Sequence, residues 1–130
     1  MPVQTDLTSD RLGVIVTCSG LVTGKDLVEA NAQVVACVNC QYQLWDFSAI
    51  SEVQVSADAI HRLALQDSDI PEWSSLEKIP VVGADDLIGE LTRVYELYSS
   101  AWIGRRRAYE VRQFSTRKAA EAWLVAPLSN

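Results

Sequence analysis

The order of elements along this chain predicts one α/β domain, a mixed and mostly parallel β-sheet flanked by helices, with a hairpin at its N-terminal edge. Short runs of β-branched and aromatic residues alternate with segments whose apolar positions recur at helical spacing, which implies crossover connections and parallel strands. The 130 residues are 48% hydrophobic and 22% charged, as in ordinary globular proteins, and a chain of this length buries about two thirds of the surface its unfolded form exposes. No internal repeat, low-complexity tract or linker divides the chain, so residues 1–130 are read as a single domain.

Leu12 to Cys18 is rich in β-branched residues and reads as a strand, with a shorter strand near Val3 to Thr5 folding back on it through the Thr8-Ser9-Asp10 turn. Thr23-Gly24-Lys25-Asp26 has capping-box spacing with Asp in the acidic position, opening a helix whose Leu27, Val34, Val35 and Val38 share a stripe and which should stop near Asn39. Tyr42 to Phe47 reads as the next strand. Ser56 is then an N-cap, with Asp58 in the first turn of a helix that points Ile60, Leu63 and Ala64 inward.

The stretch from Gln66 to Lys78 breaks the periodicity. It is longer than connections in compact α/β units, and Trp73 is its one large aromatic residue. Ile79 to Gly83 is a strand, and Leu87, Leu91, Val94, Tyr95 and Tyr98 follow at the spacing of an inward helix face. Tyr109 to Phe114 closes the sheet, and Ser115 caps a last helix carrying Ala119, Ala120, Trp123 and Leu124 on one side.

The formal charge of −6 is unevenly spread: residues 1–92 carry 14 acids against 4 Lys or Arg, and residues 93–130 carry 3 against 7. The chain is therefore electrically polarised. No apolar run reaches the roughly 20 residues of a membrane span, and the polar start Met1 to Asp6 lacks the pattern of a signal peptide. Three cysteines is an odd number and no secreted disulfide framework, so the expected compartment is the cytoplasm and the expected state reduced thiols.

Three stretches carry a resemblance: Gly20-Leu21-Val22-Thr23, Leu44-Trp45-Asp46-Phe47, and Phe114 with Ala120-Glu121-Ala122-Trp123-Leu124. With the element order from Gly20 to Leu124, they make the chain similar to the SpoIIAA-like family. These are small bacterial α/β domains related to the STAS fold of anti-sigma-factor antagonists and, more distantly, to Sec14-type lipid carriers. The resemblance implies a STAS-like fold and one of two functions, ligand carriage or partner switching. In STAS regulators a partner kinase phosphorylates a Ser at the start of the corresponding helix. That position falls near Ser56, although Val55 stands where those regulators have an acid.

A phosphate on Ser56 meets the free N–H groups of a helix N-terminus, whereas Asp58 opposes it. Cys37-Val38-Asn39-Cys40 has the spacing of redox and zinc sites, but it lies at a helix C-terminus, where the dipole disfavours a thiolate. Zinc needs two further ligands that no second paired motif supplies. His61 is the lone imidazole, with no nucleophile elbow, HExxH or P-loop beside it. No catalytic residue, metal site or cofactor is therefore expected.

Trp102-Ile103-Gly104-Arg105-Arg106-Arg107 sets two large apolar residues beside three cations. Trp73, Trp102, Ile103, Arg105, Arg106 and Arg107 are thus the candidates for contact with a lipid-like ligand or membrane surface; equally, Trp102 can face a protein partner or a second copy of the chain. Nucleic acid is not expected of an acidic chain whose cations are not interleaved with aromatics. The leading expectation is a non-enzymatic binding or regulatory domain for an apolar or amphipathic ligand. The alternatives are a phospho-switch through Ser56 and a thiol redox protein using Cys37 and Cys40.

Overall fold

A computed structural model of the chain describes residues 3–8, 12–37, 39–67, 70, 74–83, 86, 88–93, 95 and 109–125. Five strands, β1 (Val3–Leu7), β2 (Gly13–Thr23), β3 (Tyr42–Gln54), β4 (Lys78–Val82) and β5 (Glu110–Phe114), form one sheet in chain order. β1 is antiparallel to β2 as the predicted edge hairpin, and the other three neighbouring pairs are parallel. Between the parallel strands run α1 (Gly24–Val35), α2 (Ala57–Asp67) and α3 (residues 88–93); α4 (Arg117–Val125) follows β5.

Strand order that follows chain order has a consequence for layering. Crossovers of one hand, each stepping the same way across the sheet, stack their helices on the same face. Side chains alternate along each strand, so Val14, Val16, Trp45, Ile79, Val81 and Val111 pack against Leu27 and Val34 of α1, Ile60 and Leu63 of α2 and Ile88 of α3. The opposite face holds a smaller cluster, in which Leu44 and Val82 meet Ala120 of α4, with Ile15, Phe114 and Leu124 half-buried around them. Each fully buried aliphatic side chain contributes about 1.5–3 kcal/mol.

The capping box forms: the Asp26 N–H donates to Thr23 Oγ1 (3.2 Å) and the Thr23 N–H to Asp26 Oδ2 (3.0 Å). α1 ends at Val35, short of the predicted Asn39. The Cys37 N–H turns back to the Val34 carbonyl (3.0 Å) and the Cys40 N–H to the Cys37 carbonyl (3.3 Å), so a tight turn replaces the last helical turn. That turn sets the two Cα atoms 5.7 Å apart, within bridging distance, and Cys37 and Cys40 are joined as a disulfide. The expectation of three reduced thiols is thereby corrected, with Cys18 the free cysteine.

β3 runs to Gln54 rather than Phe47, and β2 to Thr23 rather than Cys18. Beyond Asp46 the ribbon is largely exposed and the register slips twice: Phe47 and Ser48 oppose Cys18 alone, and Ser51 is an extra residue between the Gly20–Ile50 and Leu21–Glu52 pairs. These bulges break the alternation by which a strand is recognised. The buried Asp46 carboxylate closes the first bulge, accepting from the Ser48 N–H (2.9 Å) and hydroxyl (2.5 Å) and facing Arg117 of α4 at 3.5 Å.

The cap of α4 is Thr116, whose Oγ1 accepts from the Ala119 N–H (3.2 Å), not Ser115. Ala119 is exposed and, within α4, only Ala120 is fully buried, where it meets Leu44 of β3 and Val82 of β4. Half-buried Trp123 lies against Phe114, with Lys78 Nζ and the Arg112 guanidinium 5.2 and 5.0 Å from its ring.

Candidate functional site

Between the sheet and the α1–α3 layer lies a cavity of about 90 Å³. Its walls come from the inward registers described above. Trp45, Phe47 and Val53 project from β3, Ile79 and Val81 from β4, Ile60 and Leu63 from α2, and Ile88 and Leu91 from α3. The lining is mostly apolar, and a few polar groups converge on it, as in small-molecule sites.

Those polar groups are Asn31, Gln43, Asp67, Thr92 and Tyr95. Asn31, Gln43 and Asp67 are buried. Asn31 Nδ2 donates to Asp67 Oδ1 and to Gln66 Oε1, both at 3.0 Å, and Gln66 Nε2 anchors the pair by donating to the Val28 carbonyl at 3.1 Å. The Tyr95 hydroxyl donates to Asp67 Oδ2 and lies 3.3 Å from the Tyr109 hydroxyl. Burial first, then the Asp67 charge and Tyr109, push the Tyr95 phenol well above its ordinary pKa, so it stays a donor. The Asp67 carboxylate, at the end of α2, therefore joins Tyr95 to the middle of α1.

This polar end was not singled out from the sequence, yet a signal for it exists. Asn31 stands on the stripe of Leu27 and Val34, and Asp67 on the stripe of Ile60, Leu63 and Ala64. A polar residue on an inward face must find a partner or cost several kcal/mol, so two of them on adjacent helices forecast a shared network.

Of the site residues named from the sequence, Trp73, Trp102, Ile103, Arg105, Arg106 and Arg107 lie outside the described residues. Ser56 is exposed and caps α2, its Oγ accepting from the Ala59 N–H at 3.1 Å. It lines a groove where the starts of α1 and α2 meet, with Lys25, Asp58 and Arg62 around it. A Cβ on Gly24 would come within 2.6 Å of the Ala59 Cβ, so glycine permits that close approach.

The Cys18 thiol is buried and pushed up to about 12, by burial first and then by Asp46 and Asp26, which makes it a poor nucleophile. Among the described residues no three His, Cys, Asp or Glu side chains are grouped to hold a metal ion. No described helix is long and apolar enough to cross a membrane.

No family model matches the chain, and comparison with curated proteins finds no matching relative. Solved structures do match. An uncharacterised DUF3478 protein with a SpoIIAA-like fold from Shewanella loihica PV-4 superposes with a TM-score of 0.57 at 15% identity, over 94% of this chain and 91% of that one. The Bacillus cell fate determinant SpoIIAA, in its phosphorylated form, gives a TM-score of 0.52 at 9% identity, over 94% of this chain and 98% of that one. The chain has a SpoIIAA-like fold, as its element order implied, and at these identities the likeness extends to fold alone.

Proposed function

We propose that this chain is a non-enzymatic binding domain that takes a small apolar or amphipathic molecule between its sheet and the α1–α3 layer. The cavity carries this reading, because an apolar lining with a few buried polar groups at its border is the make-up of a small-molecule site. The volume refines the ligand: an engineered cavity of about 150 Å³ holds the six carbons of benzene, so 90 Å³ accepts about four heavy atoms on the same scale. A whole acyl chain of the kind a lipid carrier holds is too large.

A second reading makes Ser56 the acceptor of a regulatory phosphate that changes binding to a protein partner. Its exposure at the start of α2, beside Lys25 and Arg62, supports this, while Asp58 in the same groove opposes added negative charge. The cytoplasm stays part of both readings.

Native mass spectrometry of the protein purified gently from its host, compared with the denatured mass, separates them. An adduct present only in the native spectrum is the expected result. A covalent phosphate moves the Ser56 reading to first place, and a bare mass at monomer or dimer counts against the ligand reading.

A further inference from the structure

We infer that the cavity discriminates by charge, accepting a short aliphatic amine and rejecting the carboxylate of the same size. This rests on the ligand-binding reading and adds the chemistry of the ligand's polar end. Asp67 is the only ionisable carboxylate among the described lining residues, and none of those residues is Lys, Arg or His. Its position is set from two sides, by Asn31 on α1 and by Tyr95, so the carboxylate stays at the cavity wall.

The carboxylate is 4% exposed, so solvent screens it weakly and its field acts on whatever enters. An ammonium group is attracted, an alcohol is tolerated, and a carboxylate meets a like charge in a low-dielectric space. Among the other lining residues, Gln43 Oε1 already accepts from the Trp45 indole N–H at 3.4 Å, which leaves Asp67 as the charged group of the wall. The apolar remainder, Leu63, Ile88 and Leu91 among it, accepts a branched chain of about four heavy atoms by the volume argument above. Size and charge together point to a small branched or short-chain aliphatic amine.

The test titrates the full chain at neutral pH with isopropylamine, isopropanol and acetate, which match the cavity in size, followed by amide NMR shifts. The expected order is amine, then alcohol, then acid, with the amine at least about tenfold tighter than the acid, and with Asp67→Asn bringing the three close to parity. The acidic surface also attracts amines, at a net charge of −6, but that attraction is screened at about 0.5 M salt whereas a buried charge is not. A preference that disappears in salt overturns the inference. Equal binding of all three ligands, abolished by Leu91→Trp, overturns it too while leaving the cavity reading intact. Absence of binding by any of them removes both. If Asp67→Asn does not fold, the order of the three ligands on the unaltered protein in high salt still decides.

Discussion

Replacing Asp46 with Ala removes the group that closes the first bulge of β3. Its Oδ1 accepts from the Ser48 N–H at 2.9 Å and from the Ser48 hydroxyl at 2.5 Å, and Oδ2 faces Arg117 at 3.5 Å. A hydrogen bond from a backbone N–H to a charged acceptor contributes about 1.5–3 kcal/mol. Ser48 is exposed, so its freed hydroxyl turns to water at little cost. Arg117 has 41% of its side chain exposed, and the ion pair is discounted accordingly to about 0.5 kcal/mol or less.

The expected loss is about 2–3 kcal/mol. With an unfolding entropy of about 2.1 cal/mol/K per residue, this lowers the Tm of the 130-residue chain by about 7–11 °C. Asp46→Asn keeps an acceptor and loses the charge, so it should cost about 1 kcal/mol. Urea unfolding followed by circular dichroism measures both. A cost under about 0.5 kcal/mol for Ala, or equal costs for Asn and Ala, shows that the bulge does not depend on this carboxylate.

Two more predictions concern the cysteines. The Cys18 thiol has its pKa raised from 9.0 to about 12 in the folded chain, so above pH 9 the unfolded state releases a proton that the native state retains. Stability conferred by the neutral thiol is complete below about pH 9 and is lost as pH rises toward 12, by up to about 4 kcal/mol at 1.36 kcal/mol per unit; urea midpoints measured upward from pH 8 should fall, and Cys18→Ala should flatten the decline until Tyr95 adds its own above about pH 10. Alkylation of the denatured chain should label one cysteine without reductant and all three with it, since Cys37 and Cys40 are joined. Reduction should cost at most about 2 kcal/mol, the loop entropy of so short a closure, and three labels without reductant would show the bridge to be absent.

How much was legible in the sequence follows from the range over which each feature is decided. Alternation of apolar residues and cap chemistry are local, and they placed the Thr23–Asp26 box, the Ser56 cap, Leu27 and Val34 on the inward face of α1, the inward face of α2, and a mostly parallel sheet, while Val35 is half-buried and Val38 lies outside the described residues. Where an element's limits depend on distant partners, local reading stopped early or ran late. β3 continues past Phe47 because β2 pairs with it through two bulges, and α1 ends at Val35 where the Cys37–Cys40 turn takes over.

The polar end of the cavity lies further still from local signals. Asn31, Asp67 and Tyr95 are 28 to 36 residues apart in the bonds that join them, and only their positions on inward stripes hinted that they had to meet. Sequence by itself determined the period of each segment and hence the layers of the SpoIIAA-like fold, since those follow from side-chain spacing. The tertiary structure alone decided which inward polar groups share a wall and how much room remains beside them, because a cavity is a property of three helices and a sheet packed together and of no segment taken singly.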